Sequence, residues 1–373
     1  MVTKRRKALS LRSPRPAGSH QENEEEPMRI GLIAPPWLAV PPPCYGGTEE
    51  VVDTLARGLE KAGHRVQLFT TGDATCQVPK TFAYPEAERG RLGSTIPELY
   101  HTLCAYPALQ DCDIIHDHTV AGLFVASLRD GPPVVTTNHG PFTKELSKIY
   151  RAVQDRVAIV AVSHHQASQA GGVRIARVIH HGLDPEAYQA GDGAGGYLLF
   201  LGRMSPDKGV HVAARVARAA GRRLLIAAKM QEPLERRYFD EKVEPLLNDD
   251  VVYLGEADRT TKKRLLADAE ALINPIQWPE PFGLVMIEAL ASGTPVVAFP
   301  AGAAPEIVED AVTGFLSHDE SEMVQAVRRI GQVDRDSCRR RFVERFSARR
   351  MVQDHLDLYT EIVDSRGSKV TAA

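Results

Sequence analysis

The feature that most constrains this fold is an alternation of short apolar runs with longer helical patterns, which starts at Met28 and recurs in both halves of the chain. Such an alternation indicates that strands and helices alternate along the chain. Repeated strand-helix units of this kind form a parallel sheet with helices on both faces. The predicted strands of the first half are 29–34, 66–70, 114–118, 134–139, 159–163 and 178–180. Those of the second half are 197–202, 224–228, 251–254, 271–275 and 295–299. We therefore predict an α/β protein.

A glycine-rich segment separates the two halves. Residues 191–196 read Gly-Asp-Gly-Ala-Gly-Gly, which is typical of a flexible connector. A chain of 373 residues is also long enough for two domains of ordinary size. We predict an N-terminal domain at 28–190 and a C-terminal domain at 191–346, each a doubly wound, Rossmann-like unit. Two such domains facing each other leave a cleft at the carboxyl ends of both sheets, where ligands bind in this architecture.

The two ends of the chain differ from the domains in composition. Residues 1–27 are rich in charge and lack apolar periodicity, so we expect a disordered N-terminal extension. At the other end, Ser347 can cap a final helix at 347–365. Its apolar stripe has helical spacing and needs a surface to pack on, so we expect the helix to return to the N-terminal domain and brace the two units. The stripe consists of Val352, Leu356, Tyr359 and Val363.

Charge and cysteine content exclude several classes of function. The 45 Lys and Arg against 48 Asp and Glu give a net charge of −3, which provides no positive field for a nucleic acid. Five scattered cysteines form neither a disulfide framework nor a zinc ribbon and fit a reducing compartment. The sequence contains no run of 18 apolar residues, which is about the length needed to cross a bilayer. We expect a cytoplasmic protein with at most peripheral membrane contact.

The strongest local motif places two carboxylates, Glu280 and Glu288, on either side of a loop-to-helix junction. Glu280 is expected in the loop after strand 271–275, facing the cleft, and Glu288 about two turns into the following helix. The free backbone N–H groups at the start of a helix favour a phosphate, so a diphosphate fits between the two acids. The alternative is an amphipathic helix with one solvated carboxylate. The residues at this helix start are Phe282, Gly283, Leu284 and Val285.

Two further motifs follow the first strand of each half. Arg203 and Lys208 stand between a strand and a helix, where two cations suit a leaving diphosphate; the alternative is a solvated charged turn. Gly46 and Gly47 open the first helix and allow a phosphate or sugar to approach the backbone. The chain has neither a G-x-G-x-x-G motif in this position nor a P-loop, so neither a nicotinamide site nor a P-loop nucleotide site is supported.

Histidines and a D-x-D pattern raise the question of a metal site. His116 and His118 alternate along one strand, but no third ligand has a recognisable spacing, and such residues more often line a polar cleft. Asp111 and Asp113 precede their strand and so fall at the sheet edge away from the cleft. We therefore expect no bound metal and no cofactor.

Together these motifs resemble those of the retaining glycosyltransferases of family 4 over about residues 28–363, and the resemblance implies the two-domain GT-B fold. The matching motifs are Gly46-Gly47, His139-Gly140, Gly202-Arg203 with Lys208-Gly209, Glu280-Pro-Phe-Gly-Leu with Glu288, and Ala291-Ser-Gly-Thr-Pro295. The chain departs from the pattern at Lys229, where many members have glycine. Lys229 is then an additional contact to a phosphate or to the base.

The resemblance also implies roles for individual residues. Arg203 and Lys208 would hold the donor diphosphate, Glu280 would contact hydroxyls of the donor sugar, and Glu288 would bind the ribose. His139 would lie near the acceptor and the anomeric carbon. The catalytic set is thus Glu280, His139, Arg203 and Lys208. The donor-binding set adds Gly46, Gly47, Lys229, Phe282, Gly283, Leu284, Val285 and Glu288.

The activity implied is transfer of a hexose, with retention, from a nucleotide diphosphate sugar such as a UDP- or GDP-sugar. The acceptor, a carbohydrate, a lipid or a small molecule, is not identified by the sequence. Two alternatives stay open at this point. One is a sugar-nucleotide epimerase or a phosphorylase on the same fold. The other is a two-domain sugar-binding protein without catalytic activity, which leaves the phosphate-binding residues unexplained.

Overall fold

The computed structural model describes residues 27–370, and for 367–370 it describes the backbone alone. The predicted N-terminal extension at 1–27 lies outside the described residues except for Pro27. Two parallel sheets organise the rest of the chain, with seven strands in the first and six in the second. The predicted architecture of two doubly wound α/β domains is therefore confirmed.

The first sheet has the strand order β3-β2-β1-β4-β5-β6-β7. Its strands are β1 (Arg29–Ile33), β2 (Arg65–Thr71), β3 (Lys80–Tyr84), β4 (Ile114–Asp117), β5 (Val134–Asn138), β6 (Val157–Ala161) and β7 (Ile175–Val178). The helices between them are α1 (Gly47–Lys61), α2 (Thr95–Ala108), α3 (Gly122–Ser127), α4 (Lys144–Val153) and α5 (His164–Ser168). The order reverses between β1 and β4, so the loops after these strands diverge and leave a crevice.

The second sheet has the order β10-β9-β8-β11-β12-β13 and reverses between β8 and β11. Its strands are β8 (Leu198–Arg203), β9 (Leu224–Lys229), β10 (Val251–Gly255), β11 (Ala271–Asn274), β12 (Val296–Ala298) and β13 (Gly314–Leu316). Its helices are α6 (Val210–Ala220), α7 (Pro233–Tyr238), α8 (Arg259–Asp268), α9 (Leu284–Ala291), α10 (Ala304–Ile307), α11 (Glu320–Arg329) and α12 (Arg335–Phe346), followed by α13 (Ala348–Val370).

Sequence periodicity located most strands, including the edge strand β10, but it missed or misplaced the other three edge strands. The strand expected at 178–180 is β7, which ends at Val178, and neither β3 nor β13 was predicted. All three are outer strands, paired on one side only. The residues of β3 are half-buried or exposed, and β13 has three residues, so neither carries the apolar run by which an inner strand of a parallel sheet is recognised.

The final helix joins the two domains. Helix α12 contributes Phe342 and Phe346 to the core of the C-terminal domain, whereas α13 returns to the N-terminal domain and packs against α1. The predicted stripe of α13 provides this contact: Val352, Leu356 and Tyr359 are buried, and Val363 packs partly buried beside them. No helix in the described part of the chain has both the length and the hydropathy to span a membrane.

Tyr359 anchors α13 to the centre of the first sheet. Its side chain has no exposed surface, and its hydroxyl lies 2.6 Å from Nδ1 of His116 on β4, with which it forms a hydrogen bond. We expect Tyr359→Phe to lower the free energy of unfolding by about 1–3 kcal/mol, because it leaves a buried ring nitrogen without a partner. Urea denaturation measures this change. Tyr100→Phe, at a tyrosine that is 51% exposed, is the matched control and is expected to have little effect.

Candidate active site

A cavity of about 290 Å³ lies between the carboxyl edges of the two sheets. The loops after β1 and β5 line it from the N-terminal domain, and the loops after β8, β10 and β11, together with α8 and α9, line it from the other. Most of the residues predicted for the site line this cavity. They are Gly46, Gly47, His139, Lys208, Lys229, Glu280, Phe282, Gly283, Leu284, Val285 and Glu288.

The start of α9 forms one wall of the cavity. Gly283 is the residue before the helix and has a left-handed backbone with φ of 97°, which glycine adopts readily. The helix then begins at Leu284, and the N–H groups of its first turn have no acceptor within the helix. These donors and the positive end of the helix dipole make this wall suitable for a phosphate group.

Lys208 and Glu280 form an ion pair beside this helix start. The Lys208 ammonium contacts Oε1 of Glu280, and the lysine residue is only 6% exposed. Gly209 holds the lysine loop in place: its φ is 72°, and a Cβ there would lie 2.2 Å from the carbonyl oxygen of Pro275. A glycine is therefore required next to Lys208, which brings the loops after β8 and β11 into contact.

Glu288 occupies a different part of the cavity wall. It is the fifth residue of α9, hence just over one turn into the helix, where sequence analysis had placed it two turns in. Its Oε1 accepts hydrogen bonds from the hydroxyl of Tyr188 at 3.0 Å and from the ammonium of Lys262. Burial opposes the charged form of Lys262, but the nearby Glu288 carboxylate outweighs burial and raises the pKa of Lys262.

The N-terminal domain closes over the cavity through polar contacts. Tyr45 donates its backbone N–H to Glu256 at 3.3 Å, and its ring lies 5.9 Å from the ammonium of Lys229. Beside them, Arg259 of α8 forms a salt bridge of 2.7 Å with Glu50 of α1. Lys229, the residue that departs from the family pattern, thus faces the opposite domain from the end of β9.

Arg203 is the one predicted site residue that does not line the cavity. Its side chain is 40% exposed and pairs with Asp207 at 3.3 Å, one turn along the same loop. In this structure Lys208 is therefore placed to contact a diphosphate, whereas Arg203 would have to leave Asp207 to do so. Sequence spacing alone predicts that both cations contact the diphosphate, because it does not show the direction of each side chain.

A group of five histidines leads from the cavity into the N-terminal domain; His116, His118, His181 and His355 are buried, and His139 is half-buried. His139, which lines the cavity, lies with its Nε2 2.9 Å from Nδ1 of His118. The ring of His139 stacks on that of His181, and the ring of His118 lies 4.1 Å from that of His116. His116 in turn lies 5.1 Å from His355 of α13. Burial lowers the pKa of His139 to about 3 and that of His355 to about 4, so these rings are neutral near neutral pH.

Asp113, the second acid of the D-x-D pattern, lies at the opposite edge of the sheet. Its carboxylate forms a salt bridge of 2.6 Å with Arg29, the first residue of β1. The predicted position of this pattern, away from the cleft, agrees with the structure.

Several cavity residues were not predicted as site residues. Lys262 and Glu50 belong to helices with many charged residues, and Glu256 and His181 lie in loops without a motif. Tyr45 directly precedes the Gly46-Gly47 motif. Trp278 lies inside the strongest motif, two residues before Glu280, so its position in the sequence could have identified it as a site residue. The others reach the cavity only because loops from both domains meet there.

Comparison with known proteins places both halves of the chain. Residues 45–187 match the family described as Glycosyltransferase Family 4, and residues 191–347 match Glycosyl transferases group 1. The chain is 27% identical to phosphatidyl-myo-inositol mannosyltransferase of Mycolicibacterium smegmatis, over 86% of this chain and 89% of the relative. It is 26% identical to alpha-maltose-1-phosphate synthase of Mycobacterium tuberculosis, over 90% of this chain and all of that protein.

A solved structure of similar sequence supports the same assignment. A glycosyltransferase involved in avilamycin A biosynthesis superposes with a TM-score of 0.72 at 28% identity, over 91% of this chain and 98% of that one. The predicted GT-B fold is thereby confirmed. The families also favour an enzyme, so the alternative of a sugar-binding protein without catalytic activity is wrong.

The histidine group makes stability depend on pH. The unfolded chain binds a proton at His355 below about pH 6.5 while the folded chain does not, so stability is lost as the pH falls below that value. We expect His355→Gln to reduce the pH dependence of the unfolding free energy by about 1.4 kcal/mol per pH unit between pH 6.5 and 5. Urea denaturation at several pH values measures it. His318→Gln, at an exposed histidine, is the control; an equal reduction there would contradict the assignment.

Proposed function

The chain belongs to the glycosyltransferases, with a Family 4 domain followed by a group 1 domain, and we propose that it transfers a hexose from a nucleotide diphosphate sugar with retention of configuration. One observation carries this proposal: the Lys208–Glu280 pair and the open start of α9 share one cavity. A diphosphate has cationic and N–H partners there, directly beside a carboxylate that can accept hydrogen bonds from sugar hydroxyls.

The remaining parts of the donor fit the neighbouring residues. Glu288 lies further along α9 than the N–H groups of the first turn, next to Lys262. In this proposal its carboxylate accepts a hydrogen bond from a ribose hydroxyl. Lys229 and the loop of Glu256 line the cavity beyond it and contact the phosphates or the base of a UDP- or GDP-sugar. His139 lines the cavity from the N-terminal domain, near the acceptor in this proposal, and Gly46 and Gly47 allow the donor to approach the backbone of the same domain.

The proposed reaction needs no nucleophile from the protein. The bond between the anomeric carbon and the diphosphate oxygen breaks, and the acceptor oxygen bonds to that carbon on the same face. The acceptor hydroxyl loses its proton to the departing diphosphate. Negative charge grows on the leaving oxygen during this step, so Lys208 and the α9 N–H groups stabilise the transition state more than the intact donor.

The relatives differ in the products for which they are named, a mannosylated phosphatidyl-myo-inositol in one case and alpha-maltose 1-phosphate in the other. We therefore take the acceptor to be a carbohydrate, a lipid or a small molecule. An epimerase or a phosphorylase would use the same cavity differently. An epimerase converts the donor without releasing nucleotide, and a phosphorylase requires inorganic phosphate, so donor turnover separates these activities.

The test is a screen of nucleotide release from UDP-, GDP- and ADP-hexoses by the purified protein, with and without a mixture of candidate acceptors. We expect release with at least one donor. In that assay Lys208→Ala should lower kcat about 100-fold, with a smaller change in donor KM, because it removes a charge that acts on the leaving group.

Lys148→Ala, at an exposed lysine that does not line the cavity, is the control for the loss of a positive charge and should leave kcat unchanged. The thermal midpoint of each variant shows whether the unpaired Glu280 has disturbed the fold. A Lys208→Ala enzyme with normal kcat and only a raised KM would mean that this lysine binds substrate and transition state equally, which contradicts its proposed role.

We also propose that activity needs no divalent metal. Lys208 and the helix start already supply positive charge for the diphosphate, and the D-x-D acids lie at the far edge of the sheet. Turnover should survive dialysis against EDTA within about twofold. An enzyme that EDTA inactivates, and that manganese or magnesium restores, would refute this proposal while leaving glycosyl transfer intact.

A further inference from the structure

Two buried polar atoms in the segment 278–280 have no hydrogen-bond partner among the described residues: Nε1 of Trp278 and Oε2 of Glu280. Both residues line the cavity. A buried indole N–H ordinarily finds an acceptor, and a buried carboxylate oxygen ordinarily finds a donor. The two unsatisfied atoms therefore call for a ligand that can serve both.

Lys208 connects the two side chains in space. Its ammonium contacts Oε1 of Glu280 and lies 6.0 Å from the centre of the Trp278 ring. The cation thus satisfies one carboxylate oxygen and stacks over the indole, and it leaves the other oxygen and the indole N–H unused. Lys208 cannot serve the indole N–H, because an ammonium offers donors and no acceptor, and the ammonium contacts Oε1 of Glu280 and not Oε2.

The backbone of this segment is fixed, so the two side chains are presented in a defined way. Gln277 donates its N–H to the carbonyl oxygen of Asp207 at 2.8 Å, and Ala303 donates to that of Glu280 at 3.0 Å. Glu280 also donates its N–H to the carbonyl oxygen of Trp278 at 2.8 Å, which closes a tight turn between them. A site held in this way loses little freedom when a ligand binds.

The chemistry of the two atoms identifies the ligand group. The indole N–H needs an acceptor, but an anionic acceptor such as a phosphate would be repelled by the adjacent Glu280 carboxylate. A hydroxyl group is neutral, accepts from an N–H and donates to a carboxylate. Neighbouring hydroxyls of a hexose supply both functions at this position, next to the helix start that takes the diphosphate.

We propose that Trp278 determines donor-sugar specificity: its indole N–H donates a hydrogen bond to a hydroxyl of the donor hexose, while the Glu280 carboxylate accepts a hydrogen bond from a hydroxyl of the same sugar. This inference rests on the proposed function in that the ligand is the sugar of a nucleotide donor. Trp278 contributes one hydrogen bond that the free nucleotide cannot make. Its contribution is therefore confined to binding of the intact donor.

Trp278→Phe tests this proposal because it removes the N–H and keeps an aromatic ring beside Lys208. Affinity for the best donor of the wild-type protein should fall about five- to tenfold, and affinity for the corresponding free nucleoside diphosphate should stay within twofold. Isothermal titration of both ligands measures the two values. Trp37→Phe, at the other tryptophan of the chain, is the matched control and should change neither.

Deoxy-sugar donors identify the hydroxyl. The wild type should bind the donor that lacks the recognised hydroxyl more weakly than the complete donor, by a similar factor. Trp278→Phe should bind this deoxy donor with the same affinity as the wild type does. In Trp37→Phe the indole of Trp278 is the only one in the chain, so its fluorescence should respond to the intact donor more than to the nucleotide.

The proposal is overturned if Trp278→Phe binds the intact donor as tightly as the wild type, or if it loses donor and free nucleotide affinity equally. Both results presuppose a wild-type protein that binds and turns over a donor. A wild type that turns over no nucleotide sugar would instead refute the proposed function, so the two failures are distinguishable.

Discussion

The cavity depends on the buried ion pair between Lys208 and Glu280. A charge that is almost removed from water is stable only with a partner, and here each partner comes from a different loop of the same sheet. The pair therefore fastens the loop after β8 to the loop after β11, at the point where the strand order reverses. It also leaves one carboxylate oxygen and the Trp278 N–H without a hydrogen-bond partner among the described residues. The ion pair thus stabilises this wall of the cavity and leaves two polar atoms there without hydrogen-bond partners among the described residues.

The two domains meet through both polar and apolar contacts. On the cavity side, Ser163 donates its hydroxyl to the carbonyl oxygen of Pro281 at 2.6 Å, and the Glu306 carboxylate accepts the N–H groups of His164 and His165. Behind it, α13 buries its apolar stripe against α1. Apolar contacts reach the cavity as well, because Leu284, which lines it, packs against the core of the N-terminal domain.

The neutral histidines have a related consequence for the site. Burial keeps the rings of His139 and His181 uncharged, so among residues 27–366 the full positive charges that line the cavity come from lysines. His139 is then a hydrogen-bonding group, held by His118, and not a cation. This division of roles follows from the partners of each group: Lys208 and His181 are equally buried, but Lys208 is paired with the Glu280 carboxylate, whereas His181 packs against the rings of His139 and Phe282.

The sequence by itself determined the repeated strand-helix units and the motif from Trp278 to Glu288, because each depends on spacing along the chain. Periodicity also indicated the apolar stripe of α13. The tertiary structure alone decided that this stripe packs on α1, that Arg203 turns to Asp207 while Lys208 reaches the cavity, and that Lys262, Glu50 and Glu256 join the site. Side-chain direction and contacts between loops far apart in sequence depend on how two domains meet, and no local pattern records that.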